Sequence, residues 1–98
     1  MKLELAPEAE ADLRDIGDYI AEDSRAQARK FVQELQSACF GLLEAPLRFA
    51  LLENFARLGY RRRVHGRYAI VYVVRGDVVS VIRIVSTAQD IEAVLASD

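Results

Sequence analysis

Five arginines lie within or beside strand-like segments of the chain: Arg61, Arg62, Arg63, Arg67 and Arg83. Guanidinium groups bind phosphate and carboxylate oxygens through paired hydrogen bonds, so these residues are candidates for binding an anion or a target. Because side chains alternate along a strand, Arg61 and Arg63 should share one face and Arg62 the other. Two alternatives remain open, since arginines also protect sheet edges from aggregation and a ratio of eleven Arg to two Lys can reflect coding bias.

Arg83 stands inside the apolar segment VVSVIRIVS. The alternation of a strand predicts that it shares a face with Val79, Val81 and Val85. A charge among valines is costly unless it is paired or lies at an exposed working surface. We therefore expect either a functional anion site at Arg83 or an ion pair with an acid from the helices, and favour the former.

Acid–base catalysis requires a proton donor and a proton acceptor close to these cations. The neighbouring candidates are His65, Tyr60, Tyr68 and Tyr72, but a turn position explains His65 and strand packing explains Tyr68 and Tyr72. Cys39 falls on the apolar side of a helix and is expected in the core. The residues therefore indicate a binding protein more than an enzyme.

Composition narrows the possible classes of protein. The 98 residues predict a single domain over 1–98, with 52% hydrophobic and 29% charged residues typical of a globular chain. One Cys and one His exclude an internal disulfide, a cysteine zinc site and a histidine cluster, so no metal or cofactor is expected. With no membrane span or secretory segment apparent, we expect a cytoplasmic protein.

The net charge of −2 combines two unlike halves. Residues 1–53 contain six basic and eleven acidic residues, whereas residues 54–98 contain seven basic and four acidic residues. The basic half could meet a phosphate backbone or an acidic protein surface, or the two halves could neutralise each other in the fold.

Apolar spacing predicts two helices after a short strand at Lys2–Ala6. The first helix is expected at 8–22, and the second begins with the Ser24–Gln27 capping box and ends near residue 44, before Pro46. A link of one or two residues indicates an antiparallel helical hairpin. The first helix also carries acids that we place on its solvated face: Glu8, Asp12, Asp15, Asp18 and Glu22.

The pattern then changes to strands at Tyr60–Val64, Tyr68–Arg75 and Val78–Ser86, which are rich in Val, Ile and Tyr. Tight turns are predicted at His65-Gly66 and Gly76-Asp77, and Thr87 and Asp90 resemble the start of a short last helix. The predicted fold is α+β, in the order β-α-α-β-β-β-(α), with the helical hairpin packed on one face of an antiparallel sheet.

The chain resembles the ParE/RelE superfamily of bacterial toxins in five segments, taken in their order and spacing: LAPEAEADLRDIGDYIAEDS, ARKFVQELQSACFGLLEAP, GYRRRV, GRYAIVYVV and VVSVIRIV. DIGDYI, GYRR and YAIVY are similar to the ParE branch. The resemblance implies a toxin of a type II toxin–antitoxin system that inhibits DNA gyrase without catalytic residues of its own. The connector departs from many relatives, because Leu47, Arg48 and Phe49 follow Pro46 where a Pro-x-x-Gly motif is common.

Two alternatives follow from the same resemblance. The RelE branch cleaves messenger RNA on the ribosome; in that case Arg62, Arg63, Arg83 and Tyr68 are the candidate catalytic residues. However, Ser86 stands where members of that branch often carry a histidine. A non-toxic binding module of the same fold is the other alternative.

The resemblance also implies a ParD-like antitoxin that wraps the toxin, while no membrane contact or sequence-specific DNA binding by this chain is expected. A core this small should leave Phe49, Leu51, Leu52 and Phe55 incompletely covered, which independently favours a wrapping partner. The candidate antitoxin-binding residues are Leu13, Ile16, Tyr19, Ile20, Phe31, Leu35, Phe49, Leu52 and Phe55.

Overall fold

The computed structural model describes residues 1–97. Its elements follow the predicted order: β1 (Lys2–Leu5), α1 (Pro7–Ala21), α2 (Arg25–Gly41), a 3₁₀ helix (Glu53–Leu58), β2 (Arg61–His65), β3 (Tyr68–Arg75), β4 (Val78–Ser86) and α3 (Ile91–Ala96). The predicted α+β fold is thereby confirmed, and the connector gains a 3₁₀ helix that its irregular sequence had not indicated.

Local signals explain most of the boundaries. Pro7 occupies the first turn of α1, where its missing N–H costs nothing. The Ser24 hydroxyl accepts a hydrogen bond from the Gln27 N–H at 3.2 Å and so caps α2. The Asp90 carboxylate caps α3 in the same way, accepting from the Ala93 N–H at 3.2 Å. α2 ends at Gly41, three residues before the predicted end, and the chain continues in turns.

The first hairpin turn lies one residue later than predicted. His65 belongs to β2 and pairs with Tyr68, so the two-residue turn is Gly66-Arg67. Gly66 has a φ of 59°, a conformation that side chains with a Cβ rarely adopt. The placement of His65 in a turn was therefore wrong, and its side chain is available for contacts with the helices.

The sheet has the strand order β1-β4-β3-β2. β2, β3 and β4 form the predicted antiparallel meander, but β1 runs parallel to β4, with Leu3 beside Val79. The sheet is thus mixed and not wholly antiparallel. Alternation of apolar residues defines a strand and its faces but not its direction, so the sequence could not reveal this pairing.

Two apolar clusters cover the two faces of the sheet. The helical hairpin packs on one face over a larger cluster that includes Ala9, Leu13, Ile16, Leu35, Ala38, Cys39, Leu42, Ile70, Tyr72, Val79, Val81 and Ile84. A smaller cluster on the other face, packed against the 3₁₀ helix and α3, contains Leu52, Ala69, Val71, Val85 and Ile91. Glu92 fastens α3 to the connector by accepting hydrogen bonds from the main-chain and side-chain N–H groups of Asn54.

A register shift in β4 changes which residues share a face. Arg83 pairs with Val71, whereas Val81 pairs with Tyr72, so Ile82 is the extra residue of a bulge. Val81 consequently packs in the larger cluster, under the helical hairpin (the hairpin-side cluster), and Val85 packs in the smaller cluster on the opposite face. The prediction that Arg83 shares one face with Val79, Val81 and Val85 was therefore wrong, because strict alternation does not continue through a bulge.

Candidate functional site

Two of the five candidate arginines bind main-chain carbonyls of the connector and α2. Arg61 donates from Nη1 to the carbonyls of Leu47 at 3.1 Å and Phe49 at 2.7 Å. Arg63 donates from Nη1 to the Ala38 carbonyl at 2.8 Å, and its guanidinium lies 5.2 Å from the centre of the Phe49 ring. As predicted, both residues lie on one face, but there they stabilise the last turn of α2 and the connector.

The Arg63 guanidinium lies where a side chain at Gly41 would be. A Cβ on Gly41 would stand 2.7 Å from Nη1 of Arg63, much closer than van der Waals contact. Replacing glycine by alanine within a helix usually stabilises a protein by up to ~1 kcal/mol. Here the substitution must move the guanidinium away from the Ala38 carbonyl, so we expect no gain or a loss of up to about 1 kcal/mol.

A double-mutant cycle with urea unfolding checks this expectation. Once Arg63 is replaced by alanine, Gly41→Ala should regain the usual stabilisation of up to ~1 kcal/mol, since no guanidinium remains to be displaced. Equal effects of Gly41→Ala in the two backgrounds would show that the guanidinium is not held at this position.

Arg83 forms an ion pair with an acid of α1. Its Nε and Nη2 donate to the two carboxylate oxygens of Asp12 at 2.8 and 3.0 Å, and the Ile84 N–H donates to the same carboxylate at 2.8 Å. The two side chains are only 18% and 13% exposed. This is the ion pair considered as the second alternative for Arg83. The placement of Asp12 on the solvated face of the first helix was wrong, whereas Asp15 and Asp18 are exposed as predicted.

Arg62 and Arg67 are the candidate arginines with exposed side chains. Arg62 pairs with Val71, a member of the smaller cluster, and so lies on the sheet face opposite the helical hairpin. Arg67 lies in the β2–β3 turn, where its main-chain carbonyl accepts from the Thr87 N–H at 2.8 Å. The surface that could meet an external anion or target is therefore smaller than the sequence indicated.

The four residues suited to RNA cleavage have separate surroundings. Arg63 contacts α2, Arg83 contacts α1, and Arg62 faces away from both helices. Tyr68 is half-buried, with its ring centre 5.7 Å from that of Phe31. Arg62 and Arg83 flank Val71 in the register of the sheet, while Arg63 and Arg83 are engaged by other groups of the chain.

His65 has a partner that the sequence did not suggest. Its Nε2 lies 3.3 Å from a carboxylate oxygen of Glu34 on α2, and its ring packs against Phe31 with the centres 5.7 Å apart. The side chain therefore joins the end of β2 to the middle of α2. The two residues are 31 positions apart, and no local pattern connects them.

Cys39 and Tyr72 are buried side chains that could have acted as nucleophile or acid. Burial raises the pKa of the Cys39 thiol to about 11, against a smaller opposing effect of Arg63. Burial likewise raises the pKa of the Tyr72 phenol, and its hydroxyl donates to the Pro46 carbonyl at 2.6 Å. Both groups are protonated at neutral pH and belong to the core, as predicted for Cys39.

The candidate antitoxin-binding residues divide by exposure. Leu13, Ile16, Leu35 and Leu52 are at most 9% exposed, so they offer a partner almost no surface. The expectation that Leu52 would be incompletely covered was wrong, because it packs against Val71 and Val85 on the sheet. The exposed or half-buried candidates that remain are Tyr19, Ile20, Phe31, Phe49 and Phe55.

A groove between α1 and α2 was not predicted from the sequence. It has a volume of about 460 Å³ and is lined by Gly17, Ala21, Arg25, Ala28, Arg29, Val32 and Gln33. A second cavity of about 540 Å³ shares Gly17 and Val32 with it and extends towards Leu5. The sequence signal for this groove is a set of small residues on the facing sides of the two helices: Gly17, Ala21 and Ala28.

Within residues 1–97 no three His, Cys, Asp or Glu side chains lie close enough together to hold a metal ion. Among the same residues, none of the helices has the length and apolar character needed to cross a membrane.

Residues 3–91 match the model of a protein family described as the ParE toxin of the type II toxin–antitoxin system parDE. The chain belongs to the ParE toxin family. A ParE toxin is one component of a ParDE toxin–antitoxin system, so membership implies a partner of the ParD antitoxin type. The resemblance identified from the sequence is thereby confirmed.

A solved structure described as the chromosomal ParDE TA system from P. aeruginosa has the same fold as this ParE-family chain. The two superpose with a TM-score of 0.71 at 22% sequence identity, over 88% of this chain and 95% of the other. None of the curated proteins matches the chain in sequence.

Proposed function

We propose that this ParE-family chain is a toxin that binds and inhibits DNA gyrase, and that a ParD-like antitoxin neutralises it. The family match over residues 3–91 carries the proposal, because gyrase inhibition is the activity expected of ParE toxins. The two apolar clusters share one sheet, which supports treating residues 1–98 as a single toxin domain.

The side-chain contacts support a binding mechanism more than RNA cleavage. Of the arginines considered for an RNA-cleaving site, Arg63 and Arg83 are engaged by a carbonyl and a carboxylate of the chain itself. A phosphate at Arg83 would have to compete with the Asp12 carboxylate for the same guanidinium, whereas Arg63 is held in place by its Nη1 contact with the Ala38 carbonyl. A toxin that acts by contact with its target requires no phosphate at these residues, and Arg62 and Arg67 remain exposed for it.

The groove between α1 and α2 suits an amphipathic segment of the antitoxin. Ala21, Ala28 and Val32 form an apolar floor, and Arg25 and Arg29 stand exposed at its rim. A helix with aliphatic residues on one side and acidic residues beside them would bury the former and pair the latter with the arginines.

Induced expression in a bacterial host, with pulse labelling of DNA and protein, tests the proposal. Inhibition of gyrase should reduce DNA synthesis first, and co-expression of the antitoxin should restore growth. Early loss of protein synthesis with cleaved messenger RNA would favour the RNase alternative. Normal growth of a host with sensitive gyrase would favour a non-toxic binding module, and either outcome contradicts the proposal.

A further inference from the structure

β1 has a free edge with main-chain groups available for pairing. It is the first strand in the order β1-β4-β3-β2, so it has a neighbour on one side only. The N–H groups of Lys2 and Ala6 point towards β4 and donate to the carbonyls of Asp77, just before β4, and of Val81 at 2.8 and 2.9 Å. Because successive residues of a strand point their main-chain groups to opposite sides, those of Leu3 and Leu5 point outwards.

The side chains of β1 have opposite charges on one face and apolar groups on the other. Leu3 and Leu5 pack against the hairpin-side cluster. Lys2 and Glu4 therefore lie on the opposite face, where both are exposed. Neither of these two charges belongs to an ion pair within residues 1–97. The edge thus combines outward hydrogen-bonding groups with one unpaired positive and one unpaired negative charge.

We propose that two copies of this chain associate by antiparallel pairing of their β1 strands, about a two-fold axis at Leu3. In this register Lys2 of each copy lies opposite Glu4 of the second copy, which gives two ion pairs across the axis. The Leu3 residues exchange both N–H···O bonds, and Leu5 lies opposite Met1, whose side chain is 54% exposed in the single copy. The two four-stranded sheets would then form one continuous sheet.

Charge selects this register over its neighbours. A shift by two residues places Leu3 opposite Leu5, which brings the two Glu4 carboxylates directly opposite each other. Like charges in that position destabilise a strand pair. A shift by one residue places Leu3 opposite Glu4, whose own N–H and carbonyl point towards β4, so the hydrogen bonds between the copies are lost. The sequence Lys-Leu-Glu is therefore complementary to a second copy of itself in one register.

The opposite edge of the sheet does not have this property. The N-terminal part of β2 is already joined to the connector, through a bridge between Leu51 and Arg61 and a hydrogen bond from the Arg62 N–H to the Ala50 carbonyl. Antiparallel pairing centred on Arg62 would place three arginines opposite three arginines. Charges often protect sheet edges, but on β1 their opposite signs attract a second copy.

The pairing surface is small, with four strand residues from each copy, so a weak dimer is expected, with a dissociation constant of about micromolar. Sedimentation equilibrium of the full chain, made by cell-free synthesis, over about a hundredfold range of concentration should show monomer and dimer in exchange. A chain that stays monomeric throughout would contradict the proposal.

Charge reversal tests the register itself. Lys2→Glu should raise the dimer dissociation constant by about tenfold or more, since it replaces two attractive pairs with two repulsive ones. Glu4→Lys should have the same effect, and the double variant carrying both changes should restore dimerisation. An equal mixture of the two single variants should also dimerise, because each then carries the charges complementary to the other.

Lys30→Glu is the matched control, an exposed lysine on α2 whose reversal should leave the dimer unchanged. Circular dichroism should show the same fold for all variants, because Lys2 and Glu4 are exposed. Dimerisation of Lys2→Glu with wild-type affinity, or failure of the double variant to recover it, would overturn the proposal. Dimers of that kind would have to use another surface.

Discussion

Replacing Asp12 by alanine is expected to lower the free energy of unfolding by about 2–3 kcal/mol. The Asp12 carboxylate accepts hydrogen bonds from two guanidinium nitrogens of Arg83 and from the Ile84 N–H. Its removal leaves an arginine that is only 18% exposed without this counter-charge, and breaks the tie between α1 and the bulged part of β4. A loss of this size is a large part of the stability of a small domain.

Urea unfolding followed by circular dichroism measures the effect. Asp15→Ala is the matched control, because Asp15 is an exposed acid on the same helix and should change the free energy of unfolding by about 0.5 kcal/mol or less. A chain lacking both members of the pair, Asp12→Ala with Arg83→Met, should be more stable than Asp12→Ala alone, since no guanidinium then remains that has lost its Asp12 carboxylate. Equal losses for Asp12→Ala and Asp15→Ala would contradict the structural role of the ion pair.

Reversing both arginines at the rim of the helical groove is expected to weaken antitoxin binding by roughly 100-fold, or about 3 kcal/mol. The proposed antitoxin segment brings acidic side chains to Arg25 and Arg29, so Arg25→Glu with Arg29→Glu converts two attractions into two repulsions. Both residues are exposed, and the fold should therefore be unchanged. If, as proposed, the groove binds the antitoxin and another surface binds the target, toxicity towards the host should persist.

Isothermal titration calorimetry of the ParD-like antitoxin into each variant checks this result. The control reverses Arg57 and Arg75, two exposed arginines that do not line the groove, and should bind the antitoxin as tightly as the wild type. If the control loses as much affinity as the groove variant, the effect is one of net charge. Unchanged binding by the groove variant would place the antitoxin elsewhere on the toxin.

The fold was largely predictable because its signals are local. Each helix start and turn is set by residues within a few positions of it: Pro7 begins α1, Ser24 caps α2, and Gly76-Asp77 forms the turn between β3 and β4. β3 and β4 have the predicted bounds, since their apolar runs end at clear turn residues. The parallel pairing of β1 and the bulge at Ile82 depend on contacts between distant segments, and no local pattern carries them.

The candidate site was harder to predict because its arginines find their partners far along the chain. The alternation of Arg61, Arg62 and Arg63 was right, but the carbonyls that bind Arg61 belong to a connector without periodic sequence. Asp12 and Arg83 lie 71 residues apart, so the acid resembled any other on the helix. Position along the helix could not distinguish the acid that packs on the bulge from those that face water.

The most direct test of the central claim is a supercoiling assay with purified gyrase, relaxed plasmid and this chain, run beside an assay of messenger RNA on translating ribosomes. The proposal predicts that the chain inhibits gyrase at near-stoichiometric concentration, that the antitoxin reverses the inhibition, and that the messenger RNA stays intact. Cleaved messenger RNA together with unaffected gyrase would contradict it.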